Sequence, residues 1–594
     1  MRWSRALTLL LWLAAPLAAA PQLSSEIAVP EQPSNCFEVV SRWRDVPPGP
    51  IEIAFPGYAL GTHAHHDYAR HAFGLQSKQS GEWQEVAHPS GTSTWPVSVG
   101  PSGQLELRYR VRATDTITTH GFTQAYLGEQ DAYFLPPALC AYPRGTRPAD
   151  CRLKLRLPAD WRVATALPAT DGAYVTSSYE RLLDAPVQLG RFEDKSFPVA
   201  DRRVRLALVG DHLLPDESLF QAVQSIARVE LAMFRWAPFD QYLFLVHFGD
   251  FMGGLEHEQS CTAGMAAQDR DLQIPTLIVA HELFHAWNGR ALYHEGWGPD
   301  RGFERLAPNG SLWIYEGLTV YFTDVVLWRA GCRSESNFRQ TIAESCGNTL
   351  TVLGGNHPRT LAALSREALA SSQKLNASIF EVYDRGFVTG LMLDLKIRHD
   401  TKGKKSLEDV MRWLLAEYGR KGRGYEDDVM ASAIEQATGV DATELLRVLV
   451  QSTEPPPLQQ VLRWGGWDLT TNEELSPVLG VFTESPDSAR VAAVVPDSPA
   501  ARAGITRGDL LLAIGPAQVS TRLEVERAMQ QRAAAGDRTP ALGVRRGGEE
   551  VALSVRLGLQ TRCQVKRLTA ARNELLEVSL PTETRAWFAL GPVP

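Results

Sequence analysis

From about residue 23 to 200, apolar and polar positions alternate in short runs, IEIAF at 51–55, QLELRYRVRA at 104–113, CRLKLRLP at 151–158 and RRVRLALVG at 202–210, divided by clusters of Pro and Gly. Alternation of period two between turn formers predicts antiparallel strands with one solvated face, so residues 21–210 are read as a β-rich, all-β domain, a sandwich. From about 215 the period lengthens, and Leu219, Val223, Ile226 and Val229 share one helical stripe within 218–236. A continuous apolar run at 241–249 predicts a buried strand, and helical windows follow at 275–288, 311–330, 384–398, 406–418 and 424–437, which makes 211–455 an α+β domain. Three consecutive prolines at 455–457 lack ladder donors, and the Pro-rich stretch 456–475 is read as a linker.

Beyond the prolines the order is strand, strand, short helix, strand, helix, strand, strand. With Ser498-Pro499-Ala500 followed by Gly504, Gly508, Asp509 and Gly515, residues 476–560 resemble a PDZ domain. The resemblance implies that Leu479 to Phe482 form a loop presenting backbone N–H groups to the C-terminus of a peptide, with a strand edge beside it for peptide addition. Residues 561–594 are a C-terminal extension in which ELLEVSLP is expected to return as a strand along an earlier domain.

The length of 594 residues calls for several domains, and 44% hydrophobic against 22% charged residues lets each bury a core. A net charge of −8 without a sustained Lys/Arg stripe excludes nucleic acid as the expected partner. Arg2 and Arg5 precede an apolar run from Ala6 to Leu17, with Ala18 and Ala20 at signal-peptidase spacing. Residues 1–20 are therefore read as a signal peptide and the mature chain, which has no membrane span, as periplasmic or secreted. Seven cysteines are too few for a framework; Cys140 with Cys151 and Cys332 with Cys346 are close enough to close short loops. His63, His65, His66 and His71 form the densest histidine group, but they lie in a loop with no partner at a known ligand spacing, and are read as surface or packing residues.

The segment PTLIVAHELFHAWNG at 275–289 carries the chemistry. His281 and His285 are one helical turn apart, so two imidazoles can reach one tetrahedral ion, and Glu282 stands beside them to take a proton from a metal-activated water. A second helix, 311–331, is apolar on almost every face except at Glu316, Thr319, Thr323 and Asp324. A buried carboxylate needs a cation or donors, which makes Glu316 the expected third ligand of one Zn2+ per chain, with the fourth position left to water as in hydrolytic sites. In FMGGLEHEQS at 251–260, Gly253 and Gly254 allow close approach of a substrate backbone, and Glu256 can meet a positive charge. Tyr383 precedes an apolar helical stretch, and either points into the site or packs.

HELFHAWNGR, GGLEH, LWIYEGLTVYF, YDRGFVTGLMLDLKIR and the PDZ-like domain together resemble the glycyl aminopeptidase family of gluzincin metallopeptidases. The resemblance implies a β-rich N-terminal domain, a thermolysin-like catalytic domain, zinc on His281, His285 and Glu316, and Glu282 as the catalytic base. It further implies that Glu256 receives the free amino terminus of a peptide substrate, that Tyr383 steadies the oxyanion, and that glycine and alanine are the first residues released. The chain departs from the family pattern in reading Gly289-Arg290-Ala291-Leu292-Tyr293 after the motif, which reduces the basic residues expected near the leaving group to Arg290. Two other readings stand beside this one, a zinc endopeptidase of broader specificity and a non-enzymatic PDZ-containing peptide-binding protein.

Overall fold

The computed structural model describes residues 20–30, 35–59, 61–79, 81–114, 124–249, 253–298, 301–354, 358–370, 377–484, 487–495 and 498–568. The expected signal peptide, apart from its last residue, and the ELLEVSLP strand lie outside them.

The N-terminal part is β-rich. Gln22–Ala28 lies inside an eight-stranded sheet, parallel to Asp150–Arg156 and antiparallel to Cys36–Arg44. Smaller sheets of three and four strands accompany it. Strand Leu105–Arg112 shows why it folds so: Leu105, Leu107, Tyr109 and Val111 are buried while Arg108, Arg110 and Arg112 face water. The buried set packs with Phe37, Trp43, Trp95 and Phe134 into one core.

The next sheet has five strands in the order Glu193–Val199, Arg202–Val209, Gln241–Gly249, Ser260–Ala266 and Gly253–Glu256. Its first two strands fall before the expected boundary at 210, so the catalytic domain begins near 193. Their alternation belongs equally to an edge of a mixed sheet, which period alone does not distinguish from a sandwich strand. Gly253–Glu256 is the outer strand, antiparallel to Ser260–Ala266.

Helix Gln273–Phe284 packs beneath this sheet against helices Asp216–Phe234 and Leu318–Arg329. It has no polar face because it is surrounded, and its apolar residues join the largest core of the molecule. The long helix Ala377–Asp400 crosses the 313–329 segment at glycines on both sides. A Cβ on Gly317 would stand 2.4 Å from the Cα of Gly386, and one on Gly390 would stand 2.9 Å from the Cβ of Tyr321. Only hydrogen fits between these backbones, and that close approach brings Tyr383 beside Glu316.

The stretch 456–475 is not a linker. Leu458–Trp464 is a helix, and Trp467–Leu475 is a strand paired residue for residue with Leu559–Arg567. The latter lies on helix Glu335–Leu353, where the Thr561 N–H donates to Thr351 Oγ1 at 2.7 Å. The PDZ domain thus leaves and returns through one two-stranded ribbon anchored on the catalytic domain, and packs around Val491, Leu511, Ile514, Val525 and Val544. The short-loop bridges expected at Cys140–Cys151 and Cys332–Cys346 are not formed; Cys140 does lie beside Cys151, whereas Cys346 neighbours Cys563 of the ribbon. Among the described residues no helix is long and apolar enough to cross a membrane.

Candidate active site

Helix Gln273–Phe284 ends as it reaches His285, whose N–H still bonds the His281 carbonyl, so the two rings face the same space. Their Nε2 atoms are 3.1 Å apart. The Nδ1 of His285 donates to the carbonyl of Asn288 at 2.9 Å, which fixes the ring with its Nε2 pointed at His281.

Glu316 comes from a distortion that the smooth helix read from the sequence does not contain. Residues Trp313–Gly317 form one π-helical turn, closed by the Leu318 N–H on the Trp313 carbonyl, before α-helix Leu318–Arg329 begins. The widened turn is strapped to the motif helix by Asn288, whose side-chain amide lies 2.7 Å from the Ile314 carbonyl, 3.0 Å from the Tyr315 carbonyl and 3.0 Å from Thr319 Oγ1. Gly289, at φ +121°, lets the chain turn there, because a Cβ would stand 2.5 Å from the ring of Tyr315. Glu316 Oε2 thereby lies 3.3 Å from His281 Nε2 and 3.5 Å from His285 Nε2.

Three donor atoms with edges of 3.1, 3.3 and 3.5 Å match the face of a zinc tetrahedron, in which ligands about 2.0–2.1 Å from the ion are about 3.3 Å from one another. Among the described residues Oε2 of Glu316 is buried without an aligned hydrogen-bond donor, as a ligand atom awaiting a cation would be. Electrostatics agree. Burial lowers the His285 pKa, but Glu256, Glu316 and Glu282 outweigh it and lift it to about 10. Burial raises Glu316, and the charge of His285 with the facing imidazoles of His281 and His63 holds it well below the usual carboxylate range. The pocket is anionic enough to bind a proton where a metal would otherwise sit.

Glu282 is buried beside this triangle. Its carbonyl accepts the Tyr242 hydroxyl at 3.0 Å, and a Cβ on Gly254 would stand 2.0 Å from its Oε1, so the glycine of the outer strand is what makes room for the carboxylate. Gly253 is half-buried on the same strand, at φ +141°. Glu256, at the strand's end, is 3% exposed and accepts the hydroxyl of Tyr315. Burial raises its pKa, while His285 and His63 pull it below the ordinary value, so it is an anion aimed into the same space. Tyr383 stands with its ring centroid 6.3 Å from that of His281. Burial, then Glu316, Glu256 and Glu282, push its hydroxyl well above the ordinary tyrosine range, which keeps it a donor.

Seven of the eight residues singled out from the sequence, His281, His285, Glu316, Glu282, Glu256, Gly254 and Tyr383, therefore gather round one space, and Gly253 stands next to Gly254 on the outer strand. Arg290 pairs with Asp184 of the N-terminal part at 2.7 Å and also lines the cavity bordered by Gly61, His63 and Tyr315. One reading needs correction. His63 is neither a surface nor a simple packing residue, since its Nε2 lies 2.5 Å from Glu316 Oε1. Tyr315, Asn288 and Gly61 also border the site unforeseen. Tyr315 was hidden inside an apolar helix pattern, and the signal for the loop, His63 in a Gly/His-rich stretch, had no spacing that ties it to a motif 218 residues away.

Three family models match the chain: Peptidase M61 N-terminal domain over residues 24–191, M61 glycyl aminopeptidase over 276–389, and PDZ domain over 477–557. No curated protein matches. Among solved structures the chain is similar to an aminopeptidase N family protein from Idiomarina loihiensis, 22% identical with a TM-score of 0.78, the match covering 94% of this chain and 100% of that one. A weaker likeness, 15% identical with a TM-score of 0.45 over 74% of this chain and 95% of the other, is to an M1 zinc metallopeptidase from Deinococcus radiodurans. The first likeness is one of fold.

Proposed function

Because this chain belongs to the M61 glycyl aminopeptidase family and is accordingly a metallo-aminopeptidase, a hydrolase of peptide bonds, we propose that it uses one zinc ion to release small N-terminal residues, glycine and alanine first, from peptides. The observation that carries this reading is the triangle of His281, His285 and Glu316 with two further buried carboxylates, Glu282 and Glu256, beside it. These three residues would hold the metal. Bound there, zinc supplies Lewis acidity for the scissile carbonyl and makes water nucleophilic at neutral pH.

The chain's own groups do the rest. Glu256 pairs with the substrate's ammonium group, and the edge of Gly253–Glu256 offers backbone partners to the extended peptide. Glu282 takes the proton of the attacking water and returns it to the departing amine. Tyr383, held protonated, donates to the oxyanion of the tetrahedral intermediate, where a preoriented donor in a dry site is worth most. A small first residue fits because Glu256 is enclosed by Gly61, which has no side chain to spare, and by the Tyr315 hydroxyl.

The test is product analysis of a peptide pool digested before and after N-terminal acetylation. Loss of single Gly or Ala residues, abolished by acetylation, is expected. Internal cleavage of the acetylated pool would establish the endopeptidase instead. Faster release of leucine or phenylalanine would overturn the small-residue preference and point to the cavity of about 320 Å³ lined by His63, Trp297 and Tyr315 as the first-residue pocket. Mature protein beginning near Pro21 in a periplasmic or culture fraction is the expected localisation. The PDZ domain, whose turn is pinned by the Ala500 N–H on the Leu479 carbonyl and which exposes Phe482, is expected to take peptide C-termini.

A further inference from the structure

Glu316 has two carboxylate oxygens, and the motif histidines face only one of them. The other, Oε1, lies 2.5 Å from Nε2 of His63, which belongs to the N-terminal β-rich part and is separated from Glu316 by 253 positions. A carboxylate only accepts, so Nε2 carries the proton and donates. The ring is 6% exposed and is wedged in place: its centroid is 5.2 Å from that of Tyr315, edge to face, and 6.2 Å from that of Trp297.

The loop that delivers this ring is held in a conformation its sequence does not prefer. His63 has φ +50°, in the left-handed region where a non-glycine residue is disfavoured, and such residues persist where surrounding contacts over-determine them. Those contacts are present. Thr62 is fully buried with its hydroxyl on the Ala59 carbonyl at 2.7 Å. The Gly57 N–H donates to the Phe303 carbonyl at 2.7 Å and the Tyr58 hydroxyl to the Gly302 carbonyl at 2.8 Å, tying the loop to the catalytic domain. Two residues before His63, Gly61 at φ +81° presses on Glu256: a Cβ there would stand 2.5 Å from Oε2. One loop of the N-terminal domain thus touches both the third metal-ligand position and the amino anchor.

We propose that His63 is a positioning residue for the metal centre: its N–H holds Oε1 of Glu316 so that Oε2 alone is presented to His281 and His285. The N-terminal β-rich domain is then part of the active site, and the catalytic domain alone has an under-oriented third ligand. This rests on the assignment of His281, His285 and Glu316 as the zinc ligands. Outer hydrogen bonds of this kind are worth about 10–100-fold in metal affinity.

The experiment uses the full chain with His63→Ala, His63→Leu and His63→Gln, and reads the zinc dissociation constant by competition with a chelating dye, the zinc content by mass spectrometry, and the thermal midpoint of each metal-free protein. Gln keeps an N–H donor near the imidazole Nε2; Leu keeps bulk without a donor. The expected result is about 10–100-fold weaker zinc binding in the Ala and Leu variants and an affinity within a few-fold of the original in the Gln variant. Affinity unchanged in the Leu variant would overturn the proposal, as would equal weakening by Leu and Gln, which would make the role one of packing. Should Ala or Leu fail to fold, the Gln variant still decides: a loss as large as about 100-fold in a folded Gln protein would overturn it. Two zinc ions per original chain, one lost with His63, would also overturn it, because His63 would then be a ligand with Glu256 and Glu316. An original protein that binds no zinc would instead defeat the ligand assignment beneath it.

Discussion

Arg290 and Asp184 form a buried ion pair that joins the N-terminal part of the chain to the segment just after the zinc motif, and its removal has a computable consequence. The charged groups are 2.7 Å apart, and both side chains are under a tenth exposed. Asp184 also accepts the Glu258 N–H at 2.7 Å and faces His257 Nδ1 at 3.2 Å. At a charge separation of about 4 Å and an effective dielectric near 20 the attraction is about 4 kcal/mol, and truncating one partner of such a pair costs about 3–5 kcal/mol because the other is left charged and buried. Asp184→Ala is therefore expected to destabilise by about 3–5 kcal/mol, and the pair Asp184→Ala with Arg290→Met by clearly less than the sum of the single changes. The assay is a double-mutant cycle on the first urea transition followed by tryptophan fluorescence. Burial raises the Asp184 pKa, but Arg290 and His257 overcome this and hold it below its ordinary value. The pair's contribution should therefore be constant above about pH 4 and shrink as pH falls through the depressed folded value. Destabilisation below about 1 kcal/mol, or additivity within about 0.5 kcal/mol, would refute the reasoning. A change in peptide-length preference in folded Arg290→Met would place Arg290 on the leaving-group side as well.

Further outcomes are expected elsewhere in the site. Glu282→Gln should keep zinc bound while kcat falls about 10²–10⁴-fold, read by metal analysis and steady-state kinetics on alanyl substrates. Gly254→Ala places a methyl 2.0 Å from Glu282 Oε1 and should lower kcat strongly while circular dichroism stays unchanged. Glu256→Ala should lower kcat/KM on free-amino substrates far more than on blocked ones; equal losses would remove the amino anchor. With His285 lifted to about 10, zinc must displace a proton there, so apparent zinc affinity should rise about tenfold per pH unit from neutrality and level off near 10, as calorimetry in buffers of different ionisation enthalpy would show.

The cluster of His281, His285 and Glu316 was legible because each of its signals is strong on a short length scale. Four-residue spacing places His281 and His285 on one helical face whatever surrounds them, and a carboxylate such as Glu316 buried in a run as apolar as 311–331 needs a cation or donors. The PDZ domain was legible for the same reason, its glycines marking turns that only glycine makes. The boundary at 210 and the linker at 456–475 failed, because strand alternation does not say which sheet a strand joins and because prolines at 455–457 do not prevent a strand at Trp467–Leu475 from finding its partner in Leu559–Arg567. The π-helical turn at Trp313–Gly317 was invisible as well. Its residues are good α-helix neighbours by pattern, and the turn is held by Asn288 from another segment.

By itself the sequence determined which groups could meet: two imidazoles one turn apart, a carboxylate between them in sequence, a second carboxylate that cannot stay unpaired, and a domain order of β, α+β and PDZ. Those features follow from local periodicity and from the cost of burying charge. The tertiary structure alone decided which oxygen of Glu316 faces the imidazoles, that His63 meets the other from 253 positions away, that Gly61 closes on Glu256, and that Arg290 pairs with Asp184. Contacts of that range are fixed only when separate sheets and helices pack together, and no spacing along one chain encodes them.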